Sequence, residues 1–409
     1  MDREKLKKYA ALIVRVGANV QKNQRVRLYI DTRQTELATM LVEECYECGA
    51  SFVEMFWSCS DISKLHYQCC SEEVLGEVPV WERERQKQMV RDLPVRIFIE
   101  SDSPDAFDGV DPTVIANANR SRMRVLKKYR DAIDNKHQWV IAAAASPEWA
   151  QKLFPDMTAN DATELLWDYI FKCCRMDEEN PVAAWNEHTL MMEEKAAWLN
   201  SLKLASLEYK SANGTDFRVE LIEGASFHAA ADTNITNGVK YIPNMPTEEV
   251  FTSPFAGKCS GRLVSTKPLS WNGQLIDNFY IDFKNGRVSG FDAKTGRDAL
   301  AQLFATDRGA TMLGEVALVP KESPVNLSGL MFFNTLFDEN ACCHAAVGNG
   351  FPEVIEGFET KTPKEIRALG VNSSMVHVDF MIGSDDLSVV GICRDGSRVS
   401  IFEDGTWAK

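Results

Sequence analysis

In the stretch VNSSMVHVDFMIGSDD, residues 371 to 386, His377 and Asp379 stand two positions apart in a run that alternates like a β-strand. On a strand, residues i and i+2 leave the same face with Cα atoms about 6 to 7 Å apart, so this imidazole and carboxylate could bind one ion or two neighbouring ions. An ordinary hydrogen bond is the plainer reading of the pair alone. His344 lies in FDENACCHAAVGNG, expected to fall late in an apolar helix over 328–348. A lone histidine on such a helix is usually a satisfied core residue. Glu339 is expected roughly 140° around that helix from His344, off a shared face. Glu315, in TMLGEVALVP, follows a glycine into a run of Leu, Val and Ala, where an unpaired carboxylate is costly and calls for a cation or several donors. Glu249, in NMPTEEVFTSP, precedes Val250 and Phe251, while its neighbour Glu248 faces the other way on an extended segment.

The set says more than its members. Mixtures of imidazole and carboxylate hold Zn²⁺, Mn²⁺ or Co²⁺, and three carboxylates with two imidazoles suit a two-metal site better than a single tetrahedral ion. Two ions about 3.5 to 4 Å apart can polarise a carbonyl and activate a shared water. Hydrolysis of an amide is the natural reaction class.

These side chains need a scaffold. Residues 1–198 alternate helix and strand signals: a helix over Lys5 to Gly17, the strand QRVRLYID, the helix TELATMLVEECYECGA, then the strands SFVEMFW, RDLPVRIFIES and HQWVIAAAAS. That order predicts an α/β N-terminal domain with a parallel-type sheet. SPEWAQKLFP, with a serine N-cap and a proline in the first turn, opens a helical stretch that carries the chain to a boundary near Leu199. Residues 199–409 change texture. Hairpins at Asn213-Gly214 and Asn285-Gly286, a closing hairpin in GICRDGSRVSIFEDGTW, and helices in RDALAQLFATDRGA and 328–348 predict an α+β, mainly antiparallel domain that holds the metal-binding residues.

Composition narrows the function classes. The net charge is −14, and the clusters REKLKK and RSRMRVLKKYR read as solvated helix faces, which disfavours a nucleic-acid partner. No stretch approaches the ~18 apolar residues of a membrane helix, and the N-terminus lacks a signal-peptide h-region, so a cytoplasmic protein is expected. The eleven cysteines are odd in number and include three adjacent pairs. Cys45 and Cys48 form a CxxC without a second ligand pair, so reduced thiols are expected.

NMPTEEVFTSP, MLGEVALVP, NTLFDENACCH and NSSMVHVDFMIG, in this order, resemble the successive signatures of the M29 metallo-aminopeptidases, the aminopeptidase T, aminopeptidase S and PepS group. The likeness extends to VGANVQKNQRVRL, ECGASFVEMFW and DAIDNKHQW, so it spans nearly the whole chain. It implies a cytosolic homodimer that removes N-terminal residues from short peptides with two divalent ions per chain (Zn, Co or Mn), held by Glu249, Glu315, His344, His377 and Asp379. Glu315 or Glu339 would carry the proton to the leaving amine. The family pattern HxALGxxYP carries a tyrosine where HAAVGNGFP has Phe351. Loss of that phenol implies slower turnover of standard substrates. A metal-dependent amidohydrolase with an altered substrate, or a catalytically weakened peptide-binding relative, are the competing readings.

Overall fold

The structure is a computed structural model and describes residues 2–272 and 274–409. It divides into two compact units, Met1–Glu187 with Ala231–Pro246, and His188–Ala230 with Thr247–Lys409. A single cut after residue 198 does not describe this division. It falls within the helix Pro181–Ser201, and residues 231–246 return to the first unit. The return has a backbone cause: the short strand Asn244–Met245 adds to the first unit's sheet, with Ile141 N–H donating to Pro243 O at 2.7 Å.

That sheet is parallel throughout. Its strands β1 (Arg25–Asp31), β2 (Phe52–Ser58), β3 (Val95–Glu100) and β4 (Trp139–Ala143) lie in the order Asn244–Met245, β4, β3, β1, β2. Val26, Leu28, Ile30, Val95 and Ile97 point to one buried face, the two-residue period at work. Helices such as Thr35–Glu47 make the crossovers that parallel pairing requires. Ser146 caps the helix Pro147–Leu153 by accepting from Trp149 N–H at 3.3 Å. The basic run RSRMRVLKKYR lies on the helix Pro112–Ile133, whose buried residues are Ala118, Tyr129 and Ile133; most of its charges face solvent, while Arg122 is half-buried and pairs with Glu82 at 2.6 Å. All eleven cysteines are free thiols, and burial pushes Cys45 up to about 12. Among the described residues no helix is long and apolar enough to cross a membrane.

The second unit holds two antiparallel sheets. Among the described residues the larger has nine strands, and it grows from hairpins, among them Leu204–Lys210 with Asp216–Leu221 and Gln274–Lys284 with Arg287–Thr295. At the latter turn Asn285 and Gly286 have φ of 52° and 70°, the left-handed pair that a two-residue hairpin demands. The smaller sheet consists of β5 (His228–Ala229), β6 (Val250–Thr252), β7 (Leu313–Leu318), β8 (His344–Gly348) and β9 (His377–Met381), in the order β9, β8, β7, β6, β5. One of its faces supplies Val250, Val316, Leu318, Ala345, Val347, Val378 and Phe380 to the unit's core, which also contains Leu207, Phe279 and Ile281 from the larger sheet.

The strand expected at His377 is present, but the helix expected over 328–348 is not. The segment is broken into a short helix Thr335–Asp338, a single 3₁₀ turn Glu339–Ala341 and the strand β8. The reason is burial on both faces: every residue of β8 is buried between β7 and β9. A short apolar run of that kind carries no period to separate helix from strand, and the two flanking ladders override alanine's helical preference.

Gly286 is fixed by sterics as well as by its φ, because a Cβ there would stand 1.8 Å from the carbonyl carbon of Gly257. Gly286→Ala is expected to cost at least about 2 kcal/mol. A lower urea midpoint with an unchanged m-value would report it.

Candidate metal centre

Cross-strand register brings the polar residues together. In antiparallel pairs, residues directly opposite share a face. Asp379 lies opposite Ala346 and Ala346 opposite Glu315, while Met381, His344, Ala317, Phe251 and His228 form a parallel row across all five strands. His377 lies opposite Gly348. All five expected ligand residues therefore leave the face turned away from the core, with small residues between them. Glu249 just precedes β6 and reaches the same face: its Oε2 is 3.1 Å from His344 Nε2.

Two triads result, Glu249, Glu315 and His344, and Glu315, His377 and Asp379; within each, one ligand atom per residue lies within 4.8 Å of the others. Glu315 belongs to both. His377 Nε2 is 3.1 Å from Glu315 Oε2 and 3.3 Å from Asp379 Oδ1. Each imidazole is oriented by a carbonyl, which can only accept: Nδ1 of His377 donates to Asn349 O at 2.7 Å, and Nδ1 of His344 to Cys342 O at 3.3 Å. That leaves both Nε2 atoms aimed at the carboxylates, the arrangement a metal-ligating histidine needs. Asp379 Oδ1 is buried without a well-formed hydrogen bond. An under-satisfied buried carboxylate oxygen beside two oriented imidazoles fits a divalent cation.

The glycine before Glu315 has a definite task. A Cβ on Gly314 would stand 2.1 Å from Asn349 O, the oxygen that orients His377. The ladder is irregular between Leu313 and Glu315, so an extra residue turns Glu315 onto the polar face while the Asn349 carbonyl closes over the gap.

Glu339 stands outside both triads. It is half-buried in the 3₁₀ turn, and its carboxyl is raised well above the usual range by burial and by the nearby charges of Asp379 and Glu249. Asn340 fixes that turn to the Glu249 segment, its Oδ1 accepting from Glu248 N–H at 2.7 Å and its Nδ2 donating to Leu336 O at 2.9 Å. His188 Nε2 contacts Thr247 O at 2.8 Å and steadies the same segment. Phe351 lies beside the centre with its ring centroid 5.1 Å from that of His377. Asn340, Asn349 and His188 escaped the sequence reading. The two asparagines sit inside quoted motifs, but nothing in their spacing marks what they hold.

A sequence model described as thermophilic metalloprotease (M29) matches residues 2–407. The chain belongs to the M29 family. Aminopeptidase 2 of Geobacillus stearothermophilus is 40% identical to this M29 chain over 406 residues, covering 99% of it and 98% of the relative. Aminopeptidase PepS of Streptococcus thermophilus is 41% identical over 407 residues, with the same coverage. Among solved structures, wild-type AmpT from Thermus thermophilus superposes on the M29 chain with a TM-score of 0.92 at 34% identity, over 100% of both chains. The family is one of metalloproteases, and these relatives cover the chain from end to end.

The charges of this cluster predict how the ion-free protein responds to pH. Burial, offset by the hydrogen bond from His377 and reinforced by Glu249 and Asp379, pushes Glu315 up to about 7. Between the unfolded carboxyl value and that point the folded state binds the extra proton, so stability falls as pH rises through the window. Burial would lower both imidazoles, but the hydrogen-bonded carboxylates outweigh it and raise them. Their contribution is complete below the unfolded histidine value and is lost as pH rises through the folded one. Asp379, held down by His377 despite burial, acts oppositely and only at the acid end. After chelation, the melting temperature is expected to fall from about pH 5 to about pH 8. Addition of Zn²⁺ or Mn²⁺ should remove most of that slope, since a cation takes over from the protons.

Proposed function

We propose that this chain is a dinuclear metal-dependent aminopeptidase that removes N-terminal residues from short peptides with a free amino group. The observation that carries the reading is the double membership of Glu315, which is what a carboxylate bridging two ions requires. Glu249 and His344 would hold one ion, and His377 and Asp379 the other. Imidazole and carboxylate together suit Zn²⁺, Co²⁺ or Mn²⁺. When bound, such ions supply Lewis acidity toward a peptide carbonyl and toward water.

The chain's own groups supply the rest. The carbonyls of Asn349 and Cys342 keep the two imidazoles in one tautomer, and Gly314 keeps the Asn349 carbonyl in reach. Glu315 is committed to both triads, which leaves Glu339 as the better proton carrier from water to the leaving amine. It faces Asp379 and Glu249 from the 3₁₀ turn without belonging to either triad, the position that such a carrier needs. Phe351 lies against His377, at the position where the family pattern carries a phenol, and offers no hydrogen bond to charge developing on the attacked carbonyl. That substitution favours, as the second reading, an amidohydrolase with an altered substrate. The resemblance to M29 enzymes also supports a homodimer acting in the cytoplasm.

Free-amine aminoacyl substrates should be hydrolysed and their N-acetyl analogues not; equal rates on both would remove the aminopeptidase reading. Reconstituted protein should hold about two ions per chain, falling to about one in Asp379→Ala or His344→Ala, with Glu315→Ala holding neither firmly. Atomic emission on desalted samples measures this, and a single ion in wild type would contradict the bridged pair. Phe351→Tyr is expected to raise kcat toward the factor of about 10² to 10³ that one such donor supplies.

A further inference from the structure

We infer that Phe251 and Phe351 form the wall that receives the side chain of the substrate's N-terminal residue, favouring apolar residues of the size of leucine, methionine and phenylalanine. This rests on the aminopeptidase reading and says which substrates the same centre selects.

The approach to the centre is uneven. Side-chain exposure is 1% for His344, 4% for Glu315, 8% for Asp379 and 11% for Glu249, but 27% for His377. Solvent therefore meets the centre at His377. Around that opening the surfaces are aromatic: Phe351 lies 5.1 Å from His377 between ring centroids, Phe251 packs edge-on to Phe351 at 5.1 Å, and His228 follows 6.1 Å from Phe251. Phe251, Phe351 and His228 are all half-buried rather than sealed in the core. A peptide whose first carbonyl reaches the triads must direct its first side chain a few ångströms away, and these two phenylalanines border the open side.

The wall is also rigid. Ser253, two residues after Phe251 and just past the end of β6, accepts from Phe351 N–H at 2.7 Å, which ties the two aromatic positions together. Phe351 packs its other side on the cluster of Ile222, Val354, Ile355, Ile366 and Val371. Phe251 shares its cross-strand row with Ala317 and His344, so it is fixed relative to a ligand by the sheet itself. His228, with Nε2 2.8 Å from Ser226 Oγ, ends the apolar surface with a polar rim. A pre-formed apolar wall discriminates by side-chain size, by about 10- to 200-fold per methylene in good cases.

The test compares wild type with Phe251→Ala and, as the variant that keeps an apolar packing group, Phe251→Leu. Two readouts are taken on metal-loaded protein: kcat/KM for leucyl- against glycyl-peptides, and calorimetric affinity for free L-leucine against glycine. Wild type is expected to prefer leucine in both, with the preference falling at least about tenfold in Phe251→Ala and less in Phe251→Leu. An unchanged preference, or an equal fall for leucyl- and glycyl-peptides in both variants, overturns the wall. If wild type cleaves no free-amine peptide, the aminopeptidase reading falls, while calorimetry still decides the wall: leucine selectivity lost in Phe251→Ala upholds it, and its absence in wild type overturns it.

Discussion

Glu315 is buried among other acids and two imidazoles, and a carboxylate charge in that position is tolerable only with a proton or a cation beside it. Three carboxylates cannot all ionise at such separations without compensation. In the absence of an ion the cluster compensates with protons, which is why Glu315 and Glu339 sit high and both imidazoles are charged more readily than usual. The same groups around divalent cations would all be ionised carboxylates and neutral imidazoles. The cluster is thus a charge balance, and protons and metal ions are two ways of closing it.

Holding that balance in place is the work of groups that carry no charge. The opposite face of β6 to β9 is packed into the core, so the polar cluster projects from a sheet that cannot shift register without moving Val378 and Phe380 out of it. Loop carbonyls orient the imidazoles, and Asn340 secures the turn of Glu339 to the Glu249 segment. Farther out, Asp307 accepts from Met375 N–H at 2.6 Å and from Ser374 Oγ at 2.9 Å, clamping the loop that delivers His377.

Much of this was legible in the sequence because it follows from local rules. The two-residue period placed His377 and Asp379 on one face, the apolar run around Glu315 called for a cation or donors, and Asn285-Gly286 marked its hairpin. The misreading at 328–348 has the same root as the success at 371–386: periodicity reports burial on one side, and β8 is buried on both. Glu339 accordingly seemed misaligned with His344 when placed on a continuous helix, whereas the chain changes from a 3₁₀ turn to a strand between them. The return of residues 231–246 to the first unit was invisible for another reason. Asn244–Met245 is too short to show a pattern, and only its pairing with β4 defines it as a strand. Asn340 and Asn349 act through backbone groups far away in the chain, and such contacts leave no trace in spacing.

The proposed ligands come from segments of the small sheet separated by long intervals, in the chain order Glu249, Glu315, His344, then His377 and Asp379. That order has a consequence for how the centre comes into being. Pairing of β6, β7 and β8 assembles the first triad, whereas the second waits for β9, an outer strand of the sheet that meets β8 on one side. Thr266 N–H then covers part of the other side by donating to Met381 O at 2.9 Å. Such non-local closure is slow relative to helix formation. On the proposed two-ion reading, a growing chain would offer an ion a half-built nest before it offered a pair of sites, and the carboxylate of Glu315 would meet Glu249 and His344 while its second set of partners was still being made.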